Sequence, residues 1–133
     1  MTKNELKQYR TIKLELDQMD QERECWYTKA EMCVRSPSRS PGYAGEHDPY
    51  PDIIDKLDEV RTKIAQKCCE LLDLRRRIED TIDGLDSKER YIIRARYIDG
   101  LKWERIAEIL EFKDTRQAYR LHGYAITNIS KCH

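Results

Sequence analysis

Arg116, Gln117 and Arg120 are the residues whose types and spacing best suit contact with another molecule. An Arg guanidinium can donate to both acceptors on the edge of guanine, and a Gln amide can pair with the edge of adenine. Thr115 and Tyr119 add hydroxyl groups in the same stretch, and steps of three and four keep such side chains on one side of a helix. Lys102, Arg105 and Lys113, with Lys88 further upstream, are of the type that meets phosphate oxygens. The chemistry expected of this set is contact with double-stranded DNA.

Little else in the chain suggests chemistry. No Gly-rich phosphate loop and no nucleophile–base pairing occurs, so a non-enzymatic protein without a cofactor is expected. His47, His122 and His133 lie far apart in sequence, and none has metal-ligand spacing. His122 reads as a helix surface or boundary residue. The five cysteines are irregularly spaced with no Cys-x-x-Cys pair, so reduced thiols are expected, not a disulfide framework or a metal site. No apolar run is long enough to span a membrane and no signal-peptide pattern opens the sequence, so an intracellular protein is expected.

The elements that must position the polar face are all helical. In the 133-residue chain 38% of residues are charged, which suits long solvated helices better than a large core. Residues 1–34 form a first amphipathic helix, with Leu6, Tyr9, Ile12, Leu16, Met19, Trp26, Ala30 and Cys33 on one stripe that only Arg23 breaks. Residues 35–51 carry four prolines and two glycines and read as a flexible linker. Residues 52–84 form a second long helix in which Leu57, Ile64, Leu71, Ile78 and Leu85 recur every seven positions. Ile53, Val60 and Leu74 run beside them, with Lys67 interrupting. Such a heptad predicts a coiled-coil-like seam, closed either as an antiparallel hairpin or by a second copy of the chain. Gly84 is placed to end this helix in a left-handed conformation.

Residues 85–133 divide into three helices. Asp86 and Glu89 match a capping box, and Tyr91, Ile92, Ala95 and Ile98 supply the inward face up to Gly100. A short helix from Lys102 to Leu110 buries Trp103, Ile106, Ala107 and Leu110. Asp114 and Gln117 are placed to cap the last helix, whose inward stripe is Ala118, Leu121, Ala125, Ile126 and Ile129. This order is that of a helix-turn-helix with its second helix free to enter a major groove. The whole chain is neutral, but from Asp86 onward ten basic residues face seven acidic ones. That excess permits phosphate binding without demanding it.

Leu85, Glu89-Arg90, Arg96-Tyr97, Asp99-Gly100-Leu101, Trp103-Glu104, Ile106 to Leu110 and Arg120-Leu121-His122 resemble region four of the sigma-seventy class of bacterial initiation factors. The resembling stretch covers about a third of the chain. The chain also resembles small phage and prophage transcription regulators of the ArpU and RinA type, which join a helical amino-terminal segment to a sigma-like helix-turn-helix. The resemblance implies a DNA-binding regulator of phage or prophage genes, working in the cytoplasm of a bacterial host with RNA polymerase as partner. It also implies Thr115 to Arg120 as the base-reading segment. The long helices would dimerise or hold a partner.

Two positions depart from the family. Glu111 stands where relatives have glycine, and the turn is one residue longer, which is expected to relieve the need for that glycine. Lys102 stands where relatives have a capping Ser or Thr; a DNA phosphate beside it would offset the missing cap. The rival reading is a helical protein-interaction module, gripping a host or phage protein through the heptad seam without sequence-specific DNA binding.

Overall fold

The computed structural model describes residues 1–35 and 48–131. Among them the regular elements are α1 (Lys3–Arg35), α2 (Tyr50–Ile82), α3 (Ser87–Ile93), a π-helical turn (Arg94–Ile98), α4 (Trp103–Ile109) and α5 (Thr115–Lys131). The all-α class expected from the periodicity is what the chain adopts, with two long helices followed by shorter ones. Positions 36–47 of the expected linker lie outside the described residues. Its last positions open α2, with Pro51 in the first turn, where a missing N–H leaves no bond unmade.

Helix α1 starts at a reciprocal cap. Thr2 N donates to Glu5 Oε2 at 3.1 Å, and Glu5 N donates to Thr2 Oγ1 at 3.3 Å. The chain then divides into two compact units, one of residues 14–69 and one of residues 1–13 with 70–133.

In the first unit the two long helices run antiparallel and pair within one chain. Glu15 meets Lys67 at 3.0 Å, Tyr27 accepts a hydrogen bond from Arg61, and Val34 lies across a cavity from Tyr50 and Ile54. The lysine that interrupts the heptad is thereby matched by an opposite charge. Ile53, Leu57, Val60 and Ile64 are buried as the heptad requires.

In the second unit Leu6, Tyr9 and Ile12 of α1 join Leu74, Ile78 and Ile82 of α2 in one core with α3, α4 and α5. Leu6, Ile78, Ile82, Ile92, Ile93, Ile106 and Ile129 are its large, fully buried side chains. At about 25 cal/mol per Å² of apolar surface, each such side chain contributes roughly 1.5–3 kcal/mol. Arg94 clamps Glu79 with three hydrogen bonds of 2.6–3.1 Å, tying the π-helical turn to α2. Those bonds hold the Glu79 carboxyl below its usual range.

Four local expectations need correction. Asp86 does occupy the N-cap of α3, but its side chain makes no cap bond, and Glu89 instead accepts from Asn128 Nδ2 at 3.0 and 3.1 Å. A bond to α5 has replaced the reciprocal half of the capping box. Gly84 follows α2 without a positive φ; among the described glycines only Gly100 has one, at 69°. The inward face takes in Ile93 at the end of α3 and, beyond it, Tyr97, as well as Ile92, Ala95 and Ile98, with Tyr91 half-buried. For Tyr97 the cause is the π-helical turn, where Asp99 N bonds Arg94 O at 2.9 Å across five residues. One extra residue per turn shifts the helical phase, so a period of 3.6 misplaces the positions that follow.

The fourth correction is the turn after α4. Phe112 N donates to Ala107 O at 2.8 Å and Glu111 N to Glu108 O at 3.1 Å, with Glu111 at φ 59°. These are the two bonds of a Schellman motif, whose residue after the cap is left-handed and usually glycine. The left-handed conformation that the longer turn was expected to make unnecessary is thus present, with Glu111 holding it. A side chain held there costs roughly 1–2 kcal/mol. Replacing Glu111→Gly is therefore expected to stabilise the protein by about 1 kcal/mol after the entropy of the freed chain is subtracted. Glu111→Ala, which keeps a Cβ, should give no comparable increase. Thermal unfolding followed by circular dichroism would show both, and a melting temperature lowered by glycine would refute the strain.

Candidate nucleic-acid interface

Helix α5 is fixed at both its start and its inner side. Asp114 Oδ1 accepts from Arg116 N at 3.0 Å and Gln117 N at 3.4 Å, the cap expected of this residue. Ala118, His122, Ala125 and Ile129 form the buried stripe, while Leu121 and Ile126 are half-buried on its flanks. Ala118 and Ala125 have no exposed surface, and their small side chains let α5 pack close against α3 and α4.

That phase turns Arg116, Gln117 and Arg120 outward, and all three are exposed. Arg116 touches only its neighbour Asp114, at 3.9 Å, with 88% of its side chain exposed. Among the described residues Lys102, Lys113 and Arg120 are exposed and enter no ion pair, whereas Arg105 meets Glu108 at 3.3 Å. Lys102 stands at the N-cap of α4 with no side-chain cap bond. Thr115 is half-buried at the start of α5. Gly123 is open, and a Cβ added there would meet nothing.

Tyr119 is exposed with the outward set but also has a partner of its own. It is 49% exposed, yet its ring lies 4.7 Å from that of Trp103. It therefore borders a cavity of about 480 Å³ lined also by Lys3, Lys7, Arg10, Arg96, Tyr97 and His122. The sequence reading missed this place. Its signals were Lys3, Lys7 and Arg10 at steps of four and three on α1, and the stripe 118, 122, 125, 129 that runs through His122.

His122 is a buried residue, not a surface or boundary one, at 8% exposure. Its Nε2 lies 2.7 Å from the Tyr97 hydroxyl, and Trp103 packs its ring edge-on at 5.0 Å. Arg96 spans the site, donating to Leu101 O at 2.9 Å with its guanidinium 4.6 Å from the Trp103 ring centre. Burial first, then the charges of Lys3 and Arg96, push His122 down to about 4. Burial raises Tyr97 against the opposing pull of Arg96. Near neutral pH both are uncharged, so the pair holds structure together and carries no charge. Among the described residues no three His, Cys, Asp or Glu side chains gather as a metal ion would need.

The shift has a stability consequence. Between about pH 6.5 and about pH 4 the unfolded chain binds a proton at this histidine that the folded chain refuses. Stability from this group is full above that window and falls as pH drops through it, by about 1.4 kcal/mol per pH unit. Urea midpoints across the window should fall more steeply for the parent than for His122→Gln. Equal slopes would mean that His122 is not held neutral.

In comparison with known proteins, no family model matches the chain, and neither a curated protein nor a solved structure matches it.

Proposed function

We propose that this protein is a sequence-specific DNA-binding regulator of transcription, with α4 and α5 acting as a helix-turn-helix and α5 as the reading helix. The observation that carries this reading is the outward face of α5, where Arg116, Gln117 and Arg120 stand uncovered in its first two turns. Those are the turns that meet base edges when such a helix lies in a major groove. Lys102 and Lys113 flank the face as exposed cations suited to phosphates. The resemblance to sigma region four and to phage regulators supports promoter DNA as target and RNA polymerase as partner, in the cytoplasm of a bacterial host. The long helices would serve self-association. No helix of the described residues is long and apolar enough to cross a membrane.

One observation favours a second reading, in which the hairpin grips a protein. In the unit of residues 14–69, Leu14 is 52% exposed, and Met32 and Val34 are each 64% exposed. Cross-linking separates the readings: a tight protein partner with no retained duplex supports the grip alone.

Selection of bound duplexes from random DNA, followed by fluorescence anisotropy on the selected site, tests the first reading. Arg116→Ala and Arg120→Ala should each weaken the selected duplex by about 1–3 kcal/mol while changing random DNA much less. Lys113→Ala should weaken both equally and flatten the salt dependence. Unchanged affinity in both arginine variants would remove α5 as the reading element.

A further inference from the structure

We infer that the cavity bordered by Lys3, Lys7, Arg10, Arg96 and Tyr119 is a binding site for a nucleoside phosphate, its phosphates on the cations and its base against the tyrosine ring. The site is distinct from the outward face of α5, and the inference stands whether or not that face contacts DNA.

Four cations and no acidic side chain line the cavity. Among the described residues Lys3, Lys7 and Arg10 enter no ion pair, and all three project from one side of α1. Like charges at such spacings repel, and a lysine in the first turn of a helix also opposes the helix dipole. Among the described residues no carboxylate pairs with these cations, whereas a bound polyphosphate would.

Arg96 is already fixed by the Leu101 carbonyl and the Trp103 ring, so binding would not have to order it. Arg10 reaches in over Gly100, where a Cβ would come within 2.6 Å of its guanidinium carbon. The missing side chain at position 100 thus leaves the room that this guanidinium occupies. The aromatic half of the site is Tyr119, backed by Trp103 and half open to solvent. Stacking on such a ring selects a planar base over a bare anion. About 480 Å³ falls within the size of small-ligand pockets, roughly 300–1,000 Å³. Burial is the main cause of the His122 shift, and the charges of Lys3 and Arg96 add to it in the same direction.

The test is calorimetric titration of the full-length protein with ATP, adenosine and inorganic phosphate, in parallel with duplex DNA. ATP is expected to bind at least about tenfold more tightly than either adenosine or phosphate. The exposed pair Lys3→Gln/Lys7→Gln, and separately Arg10→Gln, should weaken ATP by about tenfold or more. Tyr119→Ala should weaken ATP while leaving phosphate unchanged. Thermal melts matching the parent identify these losses as losses of contact. Absence of heat with ATP, or equal affinity for ATP and phosphate, would overturn the inference. So would lysine variants that weaken duplex binding when ATP does not bind, since the cations would then serve a DNA backbone.

Discussion

His122 can lie within the buried stripe of α5 only as an uncharged ring with a hydrogen-bond partner, because a charged imidazolium among apolar side chains is costly to desolvate. Tyr97 supplies the partner at 2.7 Å, and burial keeps the ring neutral. This pairing sets how α5 is rotated about its axis. With Ala118, Ala125 and Ile129 it leaves one side of the helix inward, and the rotation decides which side chains are left outside. The outward Arg116, Gln117 and Arg120 thus depend on an interaction on the opposite side of the helix, and the Tyr97 that makes it is placed by a π-helical turn.

The even balance of charge conceals a division of labour among the basic residues. Arg90 caps the Leu85 carbonyl at 2.6 Å, Arg94 holds Glu79, and Arg96 bridges the Leu101 carbonyl and the Trp103 ring. These three belong to the scaffold. Among the described residues Lys102, Lys113 and Arg120 on one side, and Lys3, Lys7 and Arg10 on the other, enter no ion pair. Net charge counts both kinds alike, which is why a neutral total says little about where an anion would be attracted.

The sequence made some features legible and left others hidden for physical reasons. Steps of seven exposed the α2 seam, and Asp114 announced the start of α5, because both are local patterns with local causes. His122 escaped because a search for apolar residues steps over a polar one, even where the spacing passes straight through it. Tyr97 escaped because a π-helical turn changes the period within one helix. Glu89 satisfied a local rule yet bonds Asn128, thirty-nine positions away, since a tertiary partner was available. The cavity was hidden most deeply: Lys3, Lys7 and Arg10 come from α1, while Arg96 and the aromatic side chains come from residues 96–122. Of the expected contact set, the exposed arginines and lysines follow from helical phase alone, while the ring contact of Tyr119 depends on where Trp103 sits.

The unit that carries α5 is assembled from two pieces of chain, residues 1–13 and 70–133. During synthesis the first piece leaves the ribosome long before its packing partners exist. Leu6, Tyr9 and Ile12 therefore stay unpacked until residues from 70 onward have been made. Loop-closure entropy for joining the pieces falls on this unit, whereas an antiparallel hairpin closing over the intervening stretch would bring their ends together and reduce it. Packing of Leu6, Tyr9 and Ile12 against the later helices thus joins segments separated by residues 14–69, a longer loop to close than any among α3, α4 and α5 themselves.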